Sequence, residues 1–174
     1  AYIEAAKVSA ISFINRRPKD VFSFVPFGDT AIFPSGIKFT SDHALVIASL
    51  SNLSGSSGQT ALGDGYLGEL VFLLNDVIPV NLKTGKKEFS IEFDRLKASL
   101  ASKQDSEDFP YQNEVRHKIG RVDGAFITAI TDADSNTGID PKIVVTYITS
   151  FGVPAFLVNV GTAQDKELVR ELEK

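Results

Sequence analysis

The sequence predicts an α/β fold: a doubly wound, mostly parallel central sheet with helices on both faces. Three observations carry this reading. Short, nearly unbroken apolar segments, "VFSFVPF", "GAFITAIT" and "VPAFLVNVG", have the look of strands buried on both sides. Segments with helical periodicity or good helix caps alternate with them. A chain of 174 residues, 43% hydrophobic, is long enough to bury a sizeable core as one domain.

Taken in order, Ile3, Ala6, Val8, Ala10, Ile11, Phe13 and Ile14 are read as one stripe at three- and four-residue spacing and predict an amphipathic helix. "NRRPKD" ends it, because proline disfavours helical geometry in the residue before it. Val21 to Phe27 then read as a strand, with Pro26 marking its end or an edge. "AIFPSG" offers a short edge strand. Thr40, Ser41 and Asp42 are good cap residues and predict a helix running to about Leu53. After the loop "GSSGQT", "ALGDGYLGELVFLLNDVI" predicts another helix, weakened by its glycines.

Residues 79–118 are polar and mixed, with a possible strand at "KEFSIEF". A connection of this length usually has its own substructure or a function. "GAFITAIT" is a strand leading into "DADSNTG". "DPKIVVTYITSFG" is a helix with Pro141 early and Gly152 as its stop. A last strand, "VPAFLVNVG", precedes an amphipathic helix at "DKELVRELEK".

Bulk properties narrow the partners. Net charge is −4 with no basic stripe, which argues against nucleic acid. The absence of cysteine rules out disulfides and thiolate metal sites within the chain. No apolar run of about 18 residues occurs, and signal-peptide features are lacking. The chain contains no methionine and opens already in helical periodicity, so it is expected to be part of a longer product.

Ligands of open α/β sheets bind at the carboxyl ends of strands. Two polar loops are expected there, "SSGQTALGD" and "TDADSNTG". They carry the hydroxyls of Ser56, Ser57 and Thr60 and the carboxylates of Asp64, Asp132 and Asp134. Such hard oxygen donors suit Mg²⁺ or Mn²⁺ rather than zinc or copper. Taken singly, Thr60 is equally a helix-cap residue, while Asp64 and Asp134 read as a cap and a turn carboxylate that would support the site indirectly. "GQTALGDG" lacks the Lys-Ser/Thr of a phosphate loop. His43 and His117 form no catalytic arrangement and are expected at the surface.

The order of motifs nevertheless resembles a von Willebrand factor A domain. An "RP-D" turn, "F-GDTA", "TSD", "G-TALGDG" and the strand "AFITAITDADSNTG" follow one another over residues 4–78 and 121–172. They are most similar to bacterial members of the Bat aerotolerance group. The resemblance implies a metal-ion-dependent adhesion site, with Thr60 and Asp132 as its threonine and aspartate. The family's DxSxS motif, which follows the central first strand, is not in the sequence; "NLSGSSG" has no leading aspartate. That strand is therefore expected upstream of Ala1 or from another segment or chain. A second departure is an insertion at about 79–120.

The resemblance implies a non-enzymatic module that binds a partner protein's acidic side chain through Mg²⁺. It further implies a membrane-associated bacterial protein facing the periplasm or the cell exterior, working with a MoxR-type ATPase. Two other expectations stay open: a Mg²⁺-dependent phosphoryl-transfer or hydrolytic enzyme using Asp132 and Asp134, and a metal-free scaffold binding through the insertion; a cytoplasmic location is the alternative to the membrane-associated one.

Overall fold

The computed structural model describes residues 2–29, 36–54, 59–102, 110–131 and 135–160. Asp132, Asp134, "AIFPSG" up to Ser35 and the expected helix at 165–174 lie outside the described residues. The described fold is mixed α/β.

Helix α1 (Tyr2–Asn15) is followed by strand β1 (Phe22–Phe24), which stops just before Pro26. Strand β2 (Ile37–Thr40) pairs antiparallel with β1 through a register irregularity between Phe22 and Phe24. β2 was not expected: Thr40 reads as a cap residue, yet it closes a strand. Its hydroxyl does accept the Asp42 N–H at 3.0 Å, and Asp42 in turn caps helix α2 (His43–Ser51) through the Leu45 N–H. Helix α3 (Leu62–Val77) is the central element, with all but a few of its residues buried.

The expected strand at "KEFSIEF" does not form. Phe89, Ile91 and Phe93 alternate inward as a strand would, but the available neighbour is α3, not another strand. Asn75 of α3 serves instead: its side chain accepts the Ile91 N–H at 2.8 Å and donates to the Ile91 carbonyl at 2.9 Å. Two helices follow, α4 (Phe93–Ala101) and α5 (Tyr111–Ile119). Leu96 and Leu100 on α4 and Tyr111 and Val115 on α5 join the main core.

Strand β3 (Ile127–Thr131) pairs in parallel with β4 (Ala155–Asn159) over five residues, and helix α6 (Pro141–Thr149) makes the crossover. Asp140 caps α6 through the Lys142 N–H, Pro141 opens it, and Gly152 takes a left-handed φ of 77° just beyond its end. Ile127 and Ala129 enter the core against α3 and α6, while Phe156 and Val158 on the opposite face of β4 remain 52% and 39% exposed.

The described strands thus form two two-stranded sheets, one antiparallel and one parallel, rather than one continuous sheet. Both rest on α3. Ser23 of β1 donates to Glu69 of α3 at 2.6 Å, and Tyr66 of α3 donates to the Phe156 carbonyl of β4 at 2.8 Å. On the other face, Phe13 of α1 makes edge-on ring contacts with both Phe22 of β1 and Phe126 beside β3, at 6.2 and 6.0 Å. One aromatic side chain therefore bridges the two sheets. His43 is half-buried rather than superficial, its Nε2 2.7 Å from the Asp20 carbonyl oxygen and its ring edge-on to Phe22.

Candidate functional site

The carboxyl ends of β1 and β3 are drawn to one point by the chain that enters α3. The Ala61 N–H donates to the Gly28 carbonyl at 2.6 Å, and the Gln59 N–H donates to Asp29 Oδ1 at 3.0 Å. These two bonds fasten the segment following β1. From the β3 side, Asn136 Oδ1 accepts the Thr60 N–H at 2.8 Å, and the Asn136 N–H donates to the Thr60 carbonyl at 3.2 Å. Asn136 and Thr60 therefore clasp each other through two hydrogen bonds. Three loops, 28–29, 59–61 and 135–136, form one edge with Thr60 at its centre.

The sequence pattern placed Thr60 between two roles, helix cap and ligand. In the structure the N-cap of α3 is Ala61, and Thr60 lies one residue outside the helix. Its backbone is fixed by Asn136, while its hydroxyl makes no hydrogen bond to a described residue. The side chain is half-buried and held at the rim.

Asp64 is placed differently from the other candidates. Its carboxylate points inward, with its side chain 2% exposed, and meets Lys97 Nζ at 2.5 Å. Its second oxygen accepts the Ile139 N–H at 3.0 Å. Asp64 thus supports the loop that leads out of the edge and does not face the rim. Two glycines permit this closeness. A Cβ on Gly138, whose φ is +81°, would stand 2.9 Å from Asp64 Oδ1, and one on Gly63 would meet the Ile139 carbonyl oxygen at 2.0 Å.

Glu69, about one and a half turns of α3 further on, carries the one markedly displaced carboxyl among the described residues. Burial pushes it up from 4.5 to about 7, opposed by hydrogen bonds from Ser23 and from the Val25 N–H. It lies under β1 and is part of the scaffold. Asp29, Ser135 and Asn136 escaped sequence reasoning. Their roles depend on loops 76 residues apart meeting in space, as Thr60 and Asn136 do, and no local pattern encodes that.

Among the described residues no three His, Cys, Asp or Glu side chains gather into a metal-holding group. No described helix is long and apolar enough to cross a membrane. Concavities of about 440 Å³ along α1, at Val8, Ile11 and Asn15, and about 280 Å³ between Ile78, Phe89 and Lys118 lie away from the edge.

Comparison with protein-family models, curated proteins and solved structures returns no match. The functional reading therefore rests on the residues themselves and on the order of their motifs.

Proposed function

We propose that the chain is a metal-dependent protein-interaction module of the von Willebrand factor A kind. In this reading the edge around Thr60 holds Mg²⁺, and a partner's carboxylate completes the metal's coordination. The observation that carries it is the clasp between Thr60 and Asn136, together with the bonds from Gly28 and Asp29. It presents a hydroxyl that bonds no described residue, at the carboxyl ends of β1 and β3.

The donor chemistry fits the ion. Thr60 and Asp132 offer oxygen alone, and Mg²⁺ takes one or two protein carboxylates while keeping several waters. Asp132 follows Thr131, the last residue of β3, and precedes by four residues the Asn136 that holds Thr60. When bound, the cation would supply a fixed positive charge and an open position for an acidic side chain. Thr60 contributes a positioned oxygen, Asp132 a charge to anchor the ion, and Asp64 the rigidity of the exit loop. Asp134 is a supporting carboxylate. No covalent bond is made or broken.

The same reading orders the strands as β2–β1–gap–β3–β4, with the gap one strand wide. Strands in a sheet lie about 4.8 Å apart, so one intervening strand separates its neighbours by about 10 Å. The single ring of Phe13 reaching both flanks is compatible with that width. A strand ending in DxSxS and entering this gap would deliver the remaining ligands to the same edge. The partner is taken to be a protein, with a MoxR-type ATPase system in a bacterial membrane setting as the context that the resemblance implies.

The test is thermal. Adding Mg²⁺ at about a hundredfold its dissociation constant should stabilise the fold by about 2.7 kcal/mol. Asp132→Ala should abolish that shift. An equal shift in the variant would sink the assignment.

A further inference from the structure

The α4–α5 segment lies between α3 and β3 in sequence, and neither helix contributes a residue to the clasp at the edge. It is nevertheless connected to that edge by one buried charge. Lys97 of α4 reaches Asp64 of α3 at 2.5 Å; the lysine is 34% exposed and the aspartate 2%. Through its other oxygen Asp64 holds the Ile139 N–H. The turn so held, Gly138–Ile139, is pressed against the first turn of α3, as the short approaches at Gly138 and Gly63 show. Three residues before Ile139 is Asn136, which clasps Thr60. The path from α4 to the edge therefore runs Lys97, Asp64, Ile139, Asn136, Thr60, and each step except the short backbone from 136 to 139 is a hydrogen bond.

The energetics make Lys97 the controlling member. An unpaired carboxylate at this depth is strongly disfavoured, because it has lost water and gains only one amide in return. The ammonium reaches it from the half-exposed side, along a stem that runs beside the Phe93 ring, with Nζ 6.0 Å from the ring centre. Displacing α4 would withdraw the charge. Asp64 would then have to turn towards water, releasing the Ile139 N–H.

We propose that α4–α5 is a regulatory element of the edge, and that Lys97 is the positioning residue through which the seating of α4 sets the 135–139 loop. The functional half of this proposal rests on the metal reading above; the mechanical half does not. A ligand or protein that moves α4 would loosen the Thr60–Asn136 clasp, and occupation of the edge would tighten α4 in return.

Amide hydrogen exchange and Mg²⁺ titration test the two halves separately. In Lys97→Met, which keeps the stem but not the charge, exchange at Ser135–Ile139 should quicken at least tenfold, with Leu70–Leu74 unchanged. Lys97→Arg should stay close to the wild type. Should Lys97→Met fail to fold, the double variant Asp64→Asn with Lys97→Met removes both charges and should fold with a slow-exchanging loop. Unchanged exchange in Lys97→Met, or an equal rise throughout the chain, overturns the proposal. Mg²⁺ affinity should fall several-fold in Lys97→Met; faster exchange with unaltered affinity overturns the regulatory claim. A wild-type chain that takes up no Mg²⁺ contradicts the metal reading, while the exchange result still decides the mechanical link.

Discussion

Replacing Glu69 by glutamine should change how stability depends on pH, in a direction that the structure fixes. The carboxylate accepts from Ser23 Oγ at 2.6 Å and from the Val25 N–H, and burial raises it from 4.5 to about 7. Between those values the folded protein holds a proton that the unfolded chain has released. The unfolded state then binds fewer protons, so stability falls as pH rises through the window. The contribution is fully present below 4.5 and gone above about 7. At about 1.4 kcal/mol per pH unit, the ceiling is about 3.5 kcal/mol, and solvent reaching this half-buried residue lowers it. Glutamine keeps the shape without the charge. Urea unfolding at pH 5 and pH 8 should therefore show the variant gaining on the wild type at the higher pH, by about 1–3 kcal/mol. Comparing the two chains cancels every other carboxylate. An identical pH dependence in both would refute the argument.

Other substitutions probe the edge and its support. Gly63→Ala places a methyl 2.0 Å from the Ile139 carbonyl oxygen, which Asp64 and the packed turn prevent from moving aside. Overpacking should outweigh the gain in helix propensity of about 1 kcal/mol, for a net loss of about 2 kcal/mol and a Tm lower by about 4–8 °C. A Tm at or above the wild type would contradict the closeness of that contact. Thr60→Ala should leave the Tm within about 1 °C in the absence of metal, because the hydroxyl bonds no described residue and the clasp uses backbone. It should also weaken Mg²⁺-dependent partner binding. Unfolding of this variant would make the residue a structural one.

Much of the scaffold was legible because its signals are local. Asp42, Asp140, Pro141 and Gly152 mark helix ends by side-chain and backbone chemistry that needs no tertiary context. The apolar runs at 127–131 and 155–159 became the parallel pair for the same reason. β2 was hidden because its terminal Thr40 also reads as a cap, and only pairing with β1 settles the matter. The strand expected at "KEFSIEF" has the alternation of a strand but lacks a strand to join, and Asn75 takes the neighbour's place. The two helices after it did carry a readable stripe, Phe93, Leu96 and Leu100, then Tyr111 and Val115, that their charged surroundings masked. At the edge, Thr60 could be singled out from its motif. The inward turn of Asp64 could not, because it depends on Lys97, 33 residues away on a helix that was not expected.

The central claim is that the Thr60 edge holds a divalent cation, and paramagnetic mapping with Mn²⁺ in place of Mg²⁺ tests it most directly. Broadening of amide resonances should begin at Gln59–Ala61 and Ser135–Asn136, spare the region around Ile78 and Asp123, and disappear in Asp132→Ala. Broadening centred elsewhere, or its persistence in that variant, would contradict the account.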